Sequence, residues 1–334
     1  LALITGQTAA ALHSFIDAAF PGILPKLFLG KVTESGQLAI TIPLCLGVIV
    51  ANFRHGLGRQ CDWRAFQSWR PPLLAATFTA ALTLLGFQSD LSLSPVALTV
   101  LITIAGAYLL TTWQRLRALP KGTMRQQVAL ISLSLPLLLC AILVNLKRGP
   151  WLGVLVGGGC FLLVYARRLV LPLACSAIVL ALGVAPIRER LLSSYEHFTI
   201  AGGRSTIWRI GAELASEYPL GIGYHNSGIL REFAPEIPAE LKHFHNNLLN
   251  IAAEMGWLGV LVCLWLIIAI VRYCLSDRGA PFYVALGCAV ISWQVAGLVE
   301  YNFGDSEVTI LVWVLMGLLF QSDLKHNKPW ESDF

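Results

Sequence analysis

His245, Arg148 and Arg204 are the side chains on which chemistry could be built. A free imidazole, with a pKa of about 6.5, accepts a hydroxyl proton at ambient pH. A guanidinium offers a planar fork of N–H donors that suits phosphate oxygens. One histidine and two arginines on a single membrane face suggest acid/base chemistry beside a phosphate. Arg148 lies in Asn-Leu-Lys-Arg-Gly-Pro-Trp, where Gly149 and Pro150 make a tight turn and Pro150 can begin a helix. Arg204 follows Gly202-Gly203 at the start of an amphipathic stretch. A helix N-terminus there presents backbone N–H groups and a favourable dipole to an anion. His245 opens His-Asn-Asn-Leu-Leu-Asn, where a polar loop gives way to an apolar run. Plainer readings stand beside these: arginines snorkelling to headgroups or flanking a flexible turn, and an interfacial histidine.

His243 forms a His-x-His pair with His245, and His225 and His197 share the same loop. No HExxH or Asp-x-Asp pattern accompanies them, so neither a metal nor another cofactor is expected. Glu254 falls inside a predicted span, and Glu300, Asp305 and Glu307 flank the last polar turn. Carboxylates at membrane helices usually pair or line a polar cavity. Asp305 could orient His245 or an arginine, or simply cap a helix. Gly256 and Gly259 read as a close helix contact. Trp113, Trp151, Trp257 and Trp293 read as interfacial or lipid-facing anchors. The eight cysteines lack zinc-ligand spacing and read as small apolar fillers.

The elements that must position these groups are membrane helices. The 334 residues are 56% hydrophobic and 13% charged, against about 25% charged in soluble domains. Nine spans are predicted, at 37–53, 71–87, 95–112, 127–146, 151–167, 169–186, 247–271, 281–299 and 306–320. All should be helices, since hydrocarbon leaves no water to satisfy open backbone. Basic loops around Arg54–Arg70, Arg115–Arg125, Arg167-Arg168 and Arg272–Arg278 face the cytoplasm by the positive-inside tendency. Loops 88–94 and 300–306 then fall outside, as do Lys147-Arg148, a positive pair on the unfavoured side. The net charge of +5 sits in these short loops, which argues against nucleic-acid binding.

Three regions follow: membrane helices over 1–186, a long external loop over 187–246, and membrane helices with a short cytoplasmic tail over 247–334. Because the chain starts at Leu1, some N-terminal sequence, including spans, is expected to be missing. Residues 1–30, broken by Pro21, Gly22, Pro25 and Gly30, read as the end of a span and an interfacial turn. In the long loop, Ile207, Ile210, Gly211, Leu214, Ala215 and Tyr218 recur at helical spacing. They predict an amphipathic helix from about Ser205 to Tyr218, ended by Pro219 and Gly221. Its apolar face should lie on the bundle or the bilayer interface.

His245-Asn246, nine residues, then Gly256-x-x-Gly259 resembles the signature of the bacterial O-antigen ligases and the wider ligase/polymerase superfamily. The Lys147-Arg148-Gly149, Gly203-Arg204 and Gly304-Asp305-Ser306 turns are similar to that family in kind and order. The resemblance covers roughly residues 127–320. It implies a GT-C-like polytopic bundle in the bacterial inner membrane, its long loop and active site facing the periplasm. The implied activity is inverting, metal-independent transfer of glycan from undecaprenyl pyrophosphate to a hydroxyl of lipid A–core oligosaccharide. On that reading Arg148 and Arg204 bind the pyrophosphate, His245 takes or orients the acceptor proton, and Asn246 and Asp305 line the site. An O-antigen polymerase or a protein O-oligosaccharyltransferase would use the same donor. From another class, an anionic-lipid transporter or flippase would explain the spans and arginines but gives His245 no role. Transporters often carry inverted repeats and broken midplane helices, and the sequence shows neither.

Overall fold

A computed structural model of the chain describes residues 2–19, 31–56, most positions of 131–143, 145–183, 185–200, 203–226, 243–276 and 280–326. The predicted spans at 71–87 and 95–112, the loops between residues 57 and 126, and the Pro21–Gly30 turn lie outside them. Every regular element described is helical. In chain order these are α1 (Ala2–Ala19), α2 (Lys31–Gly56), α3 (Arg148–Tyr165), a 3-10 turn (Arg167–Leu169), α4 (Val170–Gly183) and α5 (Ala185–Thr199). They continue as α6 (Arg204–Glu217), α7 (Asn247–Ser276), α8 (Pro281–Ala296) and α9 (Ser306–His326). Residues 131–143 are helical wherever they are described.

Among the described residues, three helices are long and apolar enough to cross a bilayer: Thr33–Ala51 within α2, then α3 and α7. α8 and the Ser306–Gly317 part of α9 are apolar but shorter. The predicted span at 169–186 is the 14-residue α4. Helical structure then resumes as the polar α5, so the long loop begins as a helix rather than as coil.

α8 is the centre of the bundle, packed along both α2 and α3. The α3–α8 contact is close because α3 presents glycine there. A Cβ on Gly153 would lie 2.5 Å from the Ser292 carbonyl oxygen, and one on Gly157 would lie 2.4 Å from that of Cys288. Small residues let helix backbones meet in this way. The Ser292 hydroxyl crosses to α2, donating to the Ala39 carbonyl at 2.7 Å. Trp293 does not face lipid as predicted. Its side chain is buried and stacks near Phe303, because α8 lies against α2, α3 and α7.

α6 forms as its pattern predicts, and it packs on α7 rather than on lipid. Ile207, Ile210, Gly211, Leu214 and Ala215 are its buried residues. α7 is two pieces. At Gly256 the backbone leaves helical geometry (φ 72°, ψ −176°), a conformation nearly confined to glycine. The residues before the break are largely buried, including Asn247, Asn250, Ala253 and Glu254. Those after it expose Trp257, Leu258, Leu261, Val262, Trp265 and Ile268. Trp257–Ser276 alone matches the roughly 20 residues that a bilayer demands. The stretch from Asn247 to Met255 is thus a buried entry segment, and Glu254 lies at its end rather than inside the span.

The break also explains the nine-residue spacing between Asn246 and Gly256. Asn246 begins the segment, its side-chain oxygen accepting from the Leu249 N–H at 3.0 Å. Gly256 ends it. Loop 219–223 docks on the opened backbone: Ile222 and Gly223 N–H groups donate to the Ala253 and Glu254 carbonyls at 2.8 and 3.0 Å. The Trp257 N–H donates to the Pro219 carbonyl at 3.0 Å.

Candidate functional site

Two helix N-termini, each opened by an arginine, converge on the Glu300 turn, which also faces His245. Arg204 is the first residue of α6, and its N-cap, Gly203, makes no side-chain capping bond. Arg148 is the first residue of α3, whose N-cap, Lys147, likewise makes none. Uncapped first-turn N–H groups keep their attraction for an anion.

Glu300, in the turn after α8, joins these elements. The Arg204 Nη2 donates to Glu300 Oε1 at 3.2 Å. His245 Nδ1 lies 3.8 Å from the other oxygen, Oε2. Arg148 is placed alongside: a Cβ on the next residue, Gly149, would sit 2.8 Å from Glu300 Cγ. Arg148 feels the charges of both Arg204 and Glu300. Its own side chain grips α5, donating from Nε to the Arg190 carbonyl at 2.8 Å and from Nη2 to the Ser193 hydroxyl at 2.7 Å. Arg190 returns a bond to the Leu146 carbonyl at 3.0 Å. Two of Arg148's nitrogens therefore hold the scaffold.

His245 is aimed by what surrounds it. Phe244 is fully buried among Ile207, Ile210, Leu214 and Ala253. Its carbonyl accepts from Trp208 Nε1 at 2.9 Å, and its N–H donates to Asn250 Oδ1 at 3.0 Å. The chain then turns sharply at His245 (φ 50°), a left-handed conformation uncommon outside glycine. The His245 N–H donates to His243 Nδ1 at 3.3 Å, and the two rings meet edge to face at 4.3 Å. The His245 side chain keeps 27% exposure although its Nδ1 is buried, so the open part of the ring is its remaining edge.

A net of asparagines holds this turn against the one bearing Glu300. Asn246 donates to the Leu298 carbonyl at 3.0 Å. Asn247 is fully buried, donating to Asn302 Oδ1 at 2.6 Å and accepting from the Phe303 N–H at 3.1 Å. Its own N–H reaches the Gly297 carbonyl at 2.7 Å. Asn302 in turn donates to the Trp293 carbonyl at 3.0 Å.

The charges follow this geometry. Burial alone would raise the Glu300 carboxyl, but the neighbouring His245 and the Arg204 cation outweigh it and hold it below its ordinary value. Burial, with His245 adjacent, pushes His243 down to about 4, leaving it a neutral acceptor. Burial, then the Glu254 charge, pushes the Tyr301 phenol up to about 12. Tyr301 stays neutral where it stacks on His243. Among the described residues, no group of three or more His, Cys, Asp or Glu side chains could hold a metal ion.

The structure thus brings His245 and Arg204 onto one carboxylate with Arg148 beside it. Asn246 is at the same turn, where its side chain is spent on the backbone. Asp305 is elsewhere in its contacts. It accepts from the Thr33 hydroxyl at 2.6 Å and, at 3.4 Å, from the Val308 N–H, capping α9. Burial raises its carboxyl. The carboxylate at His245 is Glu300, which the sequence reading named only as a flank of the turn. Asn247 and Asn302 belong to the site as well. The cluster of asparagines at 246, 247 and 250, set at the start of an apolar run, is the available signal for the first, whereas Asn302 stands alone in its turn.

Two comparisons with known proteins bear on this arrangement. A Rickettsia felis protein with the provisional name polysaccharide ligase is 24% identical over 236 residues, 64% of this chain. The chain spans 57% of that relative's length. The family model described as O-antigen ligase matches residues 133–264, so the chain is similar to the O-antigen ligases along the segment that carries Arg148, Arg204 and His245.

Proposed function

We propose that the chain is a membrane-embedded glycosyltransferase of the polysaccharide-ligase kind, with a GT-C-like helix bundle and a site at the periplasmic face of the bacterial inner membrane. Its donor would be a glycan on undecaprenyl pyrophosphate and its acceptor a hydroxyl of lipid A–core oligosaccharide. The observation that carries this reading is the meeting of Arg204 and His245 on Glu300, beside the arginine-led start of α3. Two arginine-led helix N-termini gathered about one carboxylate suit a pyrophosphate.

In the proposed reaction the acceptor oxygen attacks the anomeric carbon from the face opposite the pyrophosphate, and configuration inverts. His245 takes the hydroxyl proton through its open edge as the new C–O bond forms. The anomeric C–O bond to phosphate breaks, and its electron pair leaves on the pyrophosphate. Arg204 and Arg148 stabilise that developing charge. Water is a competing acceptor, so α5, α6 and the loop docked at Gly256 would serve to exclude it.

The test is transfer by purified protein from undecaprenyl-pyrophosphate glycan. Lipid A–core, a second lipid-linked glycan and a pilin-like protein are offered side by side. Product on lipid A–core alone supports the ligase. Product on the second glycan or on protein makes it a polymerase or a protein O-oligosaccharyltransferase, and no product on any acceptor refutes the transferase reading.

A further inference from the structure

The two oxygens of Glu300 are engaged unequally. Oε1 holds Arg204 at 3.2 Å, a normal contact, whereas Oε2 stands 3.8 Å from His245 Nδ1. That nitrogen is buried and has no hydrogen-bond partner. A buried imidazole nitrogen without a partner is costly, and a shift of about 1 Å would supply one. The Glu300 stem is confined from the α3 side, since Gly149 leaves no room for even a methyl group beneath Cγ. Its remaining freedom lies between the guanidinium and the imidazole.

We propose that Glu300 is a positioning residue that couples anion binding to the readiness of His245: a phosphate that draws Arg204 away lets the carboxylate close onto Nδ1–H. This rests on the reading of Arg204 as a phosphate ligand. With Nδ1–H donated to Oε2, the lone pair sits on Nε2, which then accepts the hydroxyl proton while Glu300 faces the imidazolium. The other groups around the ring suit this exchange. His243 and Tyr301 remain neutral. Lys147 and Arg148, with Arg204, are the cations near Glu300. Donor occupancy would thus arm the base, and an empty site would hold it idle against water.

The test uses the whole protein in lipid nanodiscs with 15N-labelled histidine, His245 being assigned through His245→Asn. Farnesyl pyrophosphate is the probe. In the wild type it should move the His245 ring 15N signals to those of the Nδ1–H tautomer. Glu300→Gln should bind the probe several-fold more tightly, because Arg204 has lost its competitor, yet fail to fix the tautomer. A carboxylate that merely supported the fold would weaken binding instead. Wild-type binding with the tautomer unmoved, or no gain of affinity in Glu300→Gln, overturns the coupling and leaves the phosphate site standing. No wild-type binding, or binding unaltered by Arg204→Gln, overturns both.

Discussion

Replacing Gly256 with alanine should dismantle the entry segment of α7. The backbone at φ 72° and ψ −176° is one that an L side chain adopts only under strain, at about 1–3 kcal/mol. The added Cβ would lie 2.3 Å from the Pro219 oxygen and 2.6 Å from the Leu220 carbonyl carbon. These are backbone atoms, so loop 219–223 must lift away. Three hydrogen bonds go with it, those of Trp257, Ile222 and Gly223, each contributing about 0.5–1.5 kcal/mol. The total is roughly 3–7 kcal/mol. Gly158→Ala is the matched control, since a Cβ there meets nothing within 4 Å and alanine in a helix gains about 0.5–1 kcal/mol. Unfolding of the detergent-purified variants reads the difference, and glycan transfer should fall in Gly256→Ala as His245 loses its platform. If the two variants unfold within about 0.5 kcal/mol of each other, the break does not depend on glycine and the reasoning fails.

His245→Ala should abolish transfer while leaving the unfolding midpoint near that of the wild type, and retained transfer removes the imidazole from the reaction. Asn247→Ala strands Asn302 Oδ1 and the Phe303 N–H, at about 1–3 kcal/mol for each buried group left unpaired. Asn247→Asp keeps the acceptor, and equal stability for both variants would contradict the bonding described. His243 is held neutral, with its folded value below the ordinary 6.5. The unfolded chain therefore binds its proton first, and stability present above pH 6.5 drains as pH falls toward about 4. Glu300 adds a loss only below its ordinary 4.5, and Asp305, whose carboxyl burial raises, acts in the opposite sense, so the histidine's part between pH 6.5 and 4.5 is the difference between wild type and His243→Gln. His243→Gln should flatten that interval, and an unchanged slope assigns it to other groups.

The parts legible in the sequence are those written in a local period or at a helix end. α6 announced itself through apolar residues on one face, and Arg204 through the Gly-Gly turn before it. His245 was legible because polarity changes abruptly there. The carboxylate that meets His245 was not, since Glu300 and Asp305 are both acids in one turn and only the fold separates them. Asp305 sits just before a helix and is taken by its N–H groups, while Glu300 points at α6. Gly256 reads as a packing contact because composition shows a small residue; the docked loop does come that close, but the dihedral that also demands glycine is one no periodicity reveals. Trp293 was read as a lipid anchor because α8 is apolar on all faces, and such a helix gives no sign of which side is covered.

The interruption at Gly256 has a mechanical consequence. No helical hydrogen-bond ladder runs across it, because the Ala253 and Glu254 carbonyls are claimed by the docked loop. Loop 219–223 takes the place of that ladder, bonded to Ala253 and Glu254 on one side and to Trp257 on the other. The direction in which Trp257–Ser276 leaves the His245 platform is therefore set by a segment outside the helix itself.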